Sequence, residues 1–341
     1  MQATATATAA TLADGAPMRA VLQSRYGSFD VLRVGTAARP RPSADEVIVR
    51  VHAAGVARGD WHMMTGRPYL MRVMGFGFSA PKSPVAGLDV AGRVVEVGAQ
   101  VTRFAVGDEV FGIARGAFAE YAAAREDKLA RKPAVVSFED AAVSAISGIT
   151  ALQALRDAGR LVPPERVLVV GASGGVGAFA VQLAHAMDAE VDGVCSGSKL
   201  ELVRTLGARE VFDYAKGDFT DGTRRWDLVL DVGGNTPLAR LRRALTPLGR
   251  LVFVGGENGG DWTAGFGRPL GAMLLGLCVK QRFALHATRE VAEDIERVAA
   301  YLESGAVKPL IDRRIGLDGV SDALRDLEAG RVRGKIAVVV G

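Results

Sequence analysis

The run Ala172-Ser173-Gly174-Gly175-Val176-Gly177 carries the clearest chemical signal in the sequence. Four apolar, largely β-branched residues, Val167, Leu168, Val169 and Val170, precede it and read as a buried parallel strand. After it, Val176, Ala180, Leu183 and Met187 recur at helical spacing. A glycine turn between strand and helix offers backbone N–H groups and the positive end of a helix dipole to an anion. That setting cradles a pyrophosphate. Gly174 and Gly175 let the backbone come close to phosphates, and Gly177 lets the helix press on the sheet. The spacing departs from Gly-x-Gly-x-x-Gly in one place: Ala172 holds the first glycine position. A plain strand-to-helix turn is the competing reading.

Two further clusters, Asp231-Val232-Gly233-Gly234 and Val254-Gly255-Gly256, close candidate strands at the sheet edge where ligands of open α/β folds bind. Ordinary turns would have the same composition. Metal and disulfide chemistry lack their signatures. Cys195 and Cys278 stand far apart without a C-x-x-C context, and read as small buried apolar residues. The four histidines, His52, His62, His185 and His286, form no H-E-x-x-H pair.

The elements that must position these groups follow from length and pattern. At 341 residues the chain is long enough for two domains, and 49% hydrophobic with 23% charged residues is ordinary for a globular protein. The net charge of +4 is small and its acids and bases are interspersed, so no nucleic-acid track is expected. No run of 18 apolar residues occurs, and no membrane span is expected. Residues 1–17 form an Ala/Thr-rich stretch with no basic residue before Arg19. It lacks the features of a signal or transit peptide, so a disordered tail and a cytoplasmic location are expected.

From Met18 to about Ala124 the pattern is β-rich, with strands over Glu46–His52, Asp89–Gly98 and Phe118–Ala122 separated by glycine turns. Between them, Asp60 to Ser83 shows no clear periodicity and reads as a long irregular binding loop or a packed connector. Ser137 caps a helix. Strands over Val167–Val170, Glu190–Val194, Glu210–Phe212, Asp227–Val232, Arg250–Val254 and Gln281–Leu285 then alternate with helices, including Lys199–Leu206 and Pro237–Leu245. Six strands in βαβ order predict a doubly wound parallel sheet. Helices over Arg289–Ser304 and Val320–Ala329 and a last strand, Lys335–Val340, finish the chain.

Several motifs in order resemble the medium-chain dehydrogenase/reductase superfamily, in its zinc-independent quinone oxidoreductase-like branch. They are Gly87-Leu88-Asp89-Val90-Ala91-Gly92, Gly107-Asp108-Glu109-Val110-Phe111-Gly112, Ser147-Gly148-Ile149-Thr150-Ala151-Leu152, the Ala172–Gly177 turn, and Gly334-Lys335-Ile336-Ala337-Val338-Val339-Val340. The resemblance implies an α/β protein with a GroES-like β-barrel domain (18–140 and 287–341) and an inserted Rossmann domain (141–286). A six-stranded parallel sheet would form the inserted domain. It also implies a cleft between the domains as the active site, and a homodimer pairing through the Rossmann edge strand Gln281–Leu285.

Zinc-dependent members need a Cys and a His-Glu pair. The matching positions hold Ala57 and Leu88-Asp89, so no metal is expected and no alkoxide has a Lewis acid to stabilise it. The expected cofactor is NADPH. An NADH site wants a carboxylate about 20 residues past the turn, at the end of the second strand. That place reads Val194-Cys195-Ser196-Gly197-Ser198-Lys199, and the hydroxyls of Ser196 and Ser198 with the Lys199 ammonium suit a 2′-phosphate. An ordinary helix-start lysine is the other reading of Lys199, and Asp192 is the rival carboxylate. By resemblance Tyr214 lies beside this phosphate and Thr150 meets the nicotinamide. Ser173, Gly174, Gly175, Val176 and Gly177 would hold the pyrophosphate. Asp231, Val232, Val254, Gly255 and Gly256 would add contacts at the strand ends, and Lys335 a second anchor.

No acid or base stands out. Asp60, His62 and Tyr69 lie on the loop that should floor the substrate cleft. Asp60 reads either as a polar site group or as structural, His62 as a proton donor or a packed ring, and Tyr69 as a donor to a carbonyl. Relatives often carry Asn where this chain has Ala57. The expected reaction is hydride transfer to a quinone or α,β-unsaturated carbonyl. A metal-free alcohol dehydrogenase or ketone reductase, and a non-catalytic nucleotide-binding protein, are the alternatives.

Overall fold

The computed structural model describes residues 15–234, 236–256, 260, 262 and 267–340. The first fourteen residues of the expected tail lie outside these. The described chain reaches its first strand, β1 (Pro17–Gln23), almost at once, and β1 pairs antiparallel with β2 (Leu32–Ala38).

A second sheet gathers both ends of the chain. From the first half of the chain it takes β3 (Glu46–Val56), β4 (Asp89–Val97), β5 (Glu109–Ile113), β6 (Tyr121–Arg125) and β7 (Leu129–Arg131), and two strands near the C-terminus join them. Their apolar residues alternate into a core that contains Val47, Val49, Val90, Val94, Val110 and Leu129.

The middle of the chain builds a third sheet from β8 (Arg166–Val170), β9 (Glu190–Cys195), β10 (Val211–Asp213), β11 (Trp226–Asp231), β12 (Leu245–Phe253) and β13 (Arg282–Leu285). All its pairings are parallel, in the spatial order β10-β9-β8-β11-β12-β13. The order reverses between β8 and β11, and that switch point opens a crevice at the strands' carboxyl ends. The fold is therefore α/β, with a GroES-like domain and a six-stranded Rossmann sheet.

The chain then returns. β14 (Ile311–Ile315) pairs parallel with β15 (Lys335–Val339), and β15 pairs antiparallel with β3, Val338 opposite Ala54. On its way into the barrel this strand passes the glycine turn, where Gly334 N–H donates to Ser173 O at 2.8 Å. The largest core is shared between the domains. It includes Ala53, Ala91 and Phe111 from the barrel with Ile149, Val169 and Phe179 from the inserted unit.

Three sequence expectations need correction. The strand placed at Phe118–Ala122 lies at β6, three residues later, because its register is set by β3 through Arg50↔Tyr121 to Glu46↔Arg125. Phe118 is instead a fully buried plug whose backbone bonds to Ala86 and Val21. The segment Asp60–Ser83 is not irregular throughout, since a helix covers Arg58–Thr65 and a helical turn starts at Tyr69. Asp60 caps the first helix by accepting from Ala57 N at 2.8 Å, and Gly66 stops it with φ of 63°. Cys278 is exposed just past the helix Gly267–Gly276, whereas Cys195 is buried as expected, its thiol pushed up to about 11 by burial. Among the described residues no helix is long and apolar enough to cross a membrane.

Candidate active site

The glycine turn forms because β8 ends against β11. Gly171, at φ of 89°, comes so close to Gly233 that an added Cβ would lie 2.9 Å from its nitrogen. Gly177 meets the carbonyl of Gly171 with the same intolerance: a Cβ there would sit 2.1 Å from that oxygen. The helix Gly175–Ala186 can therefore start directly behind the strand. Its first ladder bond runs from Ala178 N to Gly174 O at 2.9 Å. The amides of Gly175, Val176 and Gly177 precede the ladder, where helix N–H groups lack intrahelical partners. Gly174 faces open space, since a Cβ placed on it would meet no atom nearer than 3.6 Å. These residues fit a pyrophosphate by chemistry and by space.

Lys335 closes one side of this turn. Its methylene chain packs beside Gly175, whose Cβ would lie 2.9 Å from Lys335 Cδ. Its ammonium donates to Asp89 Oδ2 at 3.1 Å, with both side chains almost entirely buried. The other Asp89 oxygen accepts from Ile146 N at 3.0 Å, at the start of the helix Ala145–Gln153. Burial raises the Asp89 carboxyl above the usual range, opposed by Lys335. Asp60 is buried close by, and desolvation pushes its carboxyl up to about 7. One of its oxygens, Oδ1, finds no hydrogen-bond partner.

A second basic place lies at the end of β9. Lys199 Nζ donates to Gly330 O at 3.0 Å and Val332 O at 2.8 Å, tying this strand end to the turn before β15. Burial, reinforced by the charge of Arg333, holds its pKa below the usual lysine range. Ser196 is half-buried and Ser198 exposed beside it. Tyr214 is exposed, with its backbone N–H on Cys195 O. Asp192 does not reach this end. It is fully buried, takes a hydrogen bond from Trp226 Nε1 at 2.8 Å and pairs with Arg209, which makes it structural.

The remaining strand ends carry different chemistry. The Asp231 carboxylate is engaged by Arg268 Nη2 at 2.8 Å and by Gly234 N, so it clasps the turn after β11. Val232 and Gly233 both donate to Val170 O, and Val254 and Gly255 to Asp231 O, which aligns these ends side by side. Gly256 follows, and beyond it the sequence leaves the described residues for a few positions. Thr150 Oγ1 lies 2.9 Å from Thr288 Oγ1, and that hydroxyl is 3.3 Å from His286 Nε2.

The three candidate proton donors do not form one constellation. His62 Nδ1 lies 2.7 Å from Arg67 O. A carbonyl only accepts, so Nδ1 carries the proton, and a neutral ring leaves Nε2 an acceptor. Burial lowers the pKa of this ring and favours the neutral form. Tyr69 turns to Trp262, centroid to centroid 5.3 Å, and its other neighbours line a cavity of about 310 Å³ with Tyr26, Phe29 and Trp61. None of the glycine-turn residues lines that cavity.

Sequence reasoning missed Arg333, Thr288 and the Asp89–Lys335 pair. Arg333 stands immediately before the closing motif and two residues before Lys335, and that basic pair was the available signal.

The positions that hold ligands in zinc-dependent members do not suit a metal. Ala57 and Leu88 offer no donor atom, and Asp89 is committed to Lys335. Among the described residues no three His, Cys, Asp or Glu side chains converge.

Comparison with known proteins agrees with this geometry. The family described as "Alcohol dehydrogenase GroES-like domain" matches residues 43–134, and that described as "Zinc-binding dehydrogenase" matches residues 206–338. A 2-methylene-furan-3-one reductase of Solanum lycopersicum is 34% identical, over 99% of this chain and 83% of the relative. The solved quinone oxidoreductase of Coxiella burnetii superposes with a TM-score of 0.84 at 25% identity, over 96% of this chain and 100% of its own. A mycobacterial structure solved in complex with NADPH superposes with a TM-score of 0.80, at 26% identity over 95% and 100% of the two chains. The chain belongs to the medium-chain dehydrogenase/reductase superfamily, in its quinone oxidoreductase-like branch, and is an oxidoreductase of the NAD(P)H-dependent kind.

Proposed function

We propose that this chain uses NADPH to reduce the conjugated double bond of an α,β-unsaturated carbonyl, or a quinone, without a metal. The observation that carries the reading is the Lys199–Arg333 pair. Lys199 Nζ reaches the carbonyls of Gly330 and Val332, and Arg333 follows them in sequence, so basic side chains gather at the end of β9, where an NADH site would place a carboxylate. A 2′-phosphate suits that setting. The relatives named above support the substrate class, one by its enone substrate and one as a quinone oxidoreductase.

NADPH supplies the hydride when bound. The first-turn amides of the helix Gly175–Ala186 would hold the pyrophosphate, and the methylene chain of Lys335, its ammonium paired with Asp89, walls the turn beside Gly175. Thr150, its hydroxyl fixed by Thr288, borders the nicotinamide end. A hydride delivered to the β-carbon of the enone would push the π pair onto the carbonyl oxygen, and the resulting enolate would take a proton at the α-carbon. Conjugation absorbs the developing charge, so no Lewis acid is required. With His62 neutral and Nε2 an acceptor, solvent is the proton source. Ser173, Ser196, Ser198, Tyr214, Val254 and Gly256 complete the proposed cofactor contacts.

The same reading takes the protein as a homodimer in which β13 pairs with its counterpart. This strand ends the sheet, and the adjoining helix Gly267–Gly276 exposes Leu270, Met273 and Leu274.

Steady-state assays with a paired enone and its saturated ketone, each with NADPH and NADH, test the reading. Turnover of the enone with a preference for NADPH is expected. Activity on the ketone alone, or equal use of both cofactors, overturns it.

A further inference from the structure

Past the carboxyl end of β13, across the switch point from Lys199, three polar side chains form a line that leads inward. His286 follows β13 directly and is half-buried, whereas Thr150, on the helix Ala145–Gln153, is 7% exposed. Thr288 joins them: its Oγ1 lies 3.3 Å from His286 Nε2 and 2.9 Å from Thr150 Oγ1.

One helix ties the inner end of this line to the glycine turn. A Cβ on Gly175 would lie 3.2 Å from Ser147 Oγ, so this face of the helix Ala145–Gln153 meets the turn. Thr150 comes three residues later on the same face, about 5 Å along the axis. With one ribose at the end of β9 and the pyrophosphate at the turn, the other half of a dinucleotide extends toward β11, β12 and β13. Thr150 and its partners lie on that side.

The line is also held in place. The Gln153 side chain is buried and clamps the residue after Thr288, donating to Arg289 O at 2.8 Å and accepting from Arg289 N at 2.9 Å. His286 N–H donates to Phe253 O at 2.9 Å, which anchors the histidine to the end of β12. The charged groups facing the ring are Asp157 and Arg289, 3.3 Å from each other. Burial lowers the ring's pKa, with Asp157 opposing and Arg289 adding to the effect, so the ring is neutral at neutral pH. A hydroxyl gives one proton and accepts through two lone pairs. With the proton on His286 Nε2, Thr288 accepts from the ring and donates to Thr150. The Thr150 proton is then left for a third acceptor.

We propose that His286, Thr288 and Thr150 form a relay that carries a solvent proton to the α-carbon of the substrate enolate. The inference rests on the reduction proposed above, in which solvent is the proton source, and supplies the route. The enolate's electron pair forms the new C–H bond as the Thr150 O–H bond breaks. Thr150 takes the Thr288 proton and Thr288 takes the proton of His286 Nε2. Water protonates Nδ1 of the ring and leaves hydroxide to the solvent. Exchange with solvent then restores the starting tautomer. Thr150 is the catalytic residue, and Thr288 and His286 act through it.

The test compares the wild type, Thr288→Val and Thr288→Ser in the reduction of α-methylcyclohexenone with NADPH. Valine keeps the shape and loses the hydroxyl, whereas serine keeps the hydroxyl. Equal melting temperatures, raised equally by NADPH, show that the variants fold and bind. The new α-centre is chiral, so its configuration records the face that received the proton. The wild type is expected to give one enantiomer. Thr288→Val is expected to lose at least about tenfold in kcat with the NADPH KM unchanged, and to give nearly racemic product. Thr288→Ser should restore both. Racemic product from the wild type, or a valine variant that matches it in rate and configuration, overturns the inference while the proposed reduction stands. Absence of wild-type turnover, with NADPH still raising the melting temperature, removes the proposed reduction and the inference together. Nitrogen NMR of the free, histidine-labelled protein, assigned with His286→Gln, reads the relay without turnover. A proton on His286 Nε2, and a shift of that signal in Thr288→Val, are expected. A ring protonated on Nδ1 alone overturns the inference.

Discussion

Lys335 and Asp89 form a buried ion pair, 3.1 Å between Nζ and Oδ2, that joins the last strand of the chain to the second long strand of the barrel beneath the glycine turn. Breaking such a pair leaves one charge buried without its partner, which costs about 3–5 kcal/mol. Lys335→Met is therefore expected to lower the urea midpoint strongly. The loss should be smaller at pH 5 than at pH 8, because burial already raises the Asp89 carboxyl and protonation removes the stranded charge. The double variant Lys335→Met/Asp89→Leu should recover most of the stability while still binding NADPH weakly. A single variant as stable as the wild type at pH 8 would refute the pairing.

Asp60 gives a pH dependence of opposite sign to that of a salt-bridged carboxylate. Its carboxyl stands at about 7 in the folded protein against 3.8 as a free side chain, because burial penalises the charged form. The folded state therefore binds the extra proton between these values. Its stabilising contribution is full below the unfolded pKa and is lost as pH rises through about 7. Asp60→Asn keeps the cap on Ala57 and cannot ionise. The stability of the wild type relative to this variant should fall between about pH 4 and pH 7 by up to about 4 kcal/mol, less where Asp89 titrates with it. Parallel urea curves for the two proteins at pH 5 and pH 8 check this. A pH-independent difference would show that Asp60 does not change its protonation.

Some of this was legible in the residues and some was not. The strand, glycine turn and helix around Ala172–Gly177 announce themselves because each obeys a local rule. The helix Arg58–Thr65 does not, since eight residues are too few to show a period and only Asp60 and Gly66 mark its ends. The return of β15 to β3 is not written in periodicity at all, and only resemblance implied it. Least legible was the buried pair: 246 residues separate Lys335 from Asp89, and no spacing rule spans that distance. The place of Lys199 after β9 was readable as a candidate phosphate-binding position, whereas Arg333 depends on where the closing turn lands.

That pairing sharpens the prediction for the cofactor phosphate. Lys199→Ala removes one charge-assisted contact of about 1.5–3 kcal/mol, so the NADPH KM should rise roughly tenfold with little change for NADH. It also frees the carbonyls of Gly330 and Val332, and a small loss of melting temperature is expected. Arg333→Ala should weaken NADPH without that loss. Equal weakening of NADPH and NADH in both variants would mean that the two cations hold something other than the 2′-phosphate.

Two glycines of the same turn should respond in opposite ways. A Cβ on Gly177 would lie 2.1 Å from the Gly171 carbonyl oxygen, backbone against backbone, with nothing free to yield. Gly177→Ala should therefore cost at least the ~1–3 kcal/mol of an overpacked site, visible as a lowered melting temperature even without cofactor. Gly174 has φ of −85° and ψ of 177°, a conformation that alanine adopts freely, and its Cβ would meet no atom closer than 3.6 Å. Gly174→Ala should fold with a stability within about 1 kcal/mol of the wild type, as expected for exchanging a helix N-cap glycine. Its methyl group would fill the open side of the turn, where the pyrophosphate approaches the amides of Gly175 and Val176. The NADPH KM should rise about tenfold or more, and NADH should suffer equally, since both carry the pyrophosphate. Melting curves of the free protein with cofactor titrations of each variant separate the two effects. Unchanged cofactor affinity in Gly174→Ala would show that the anion does not sit in this turn.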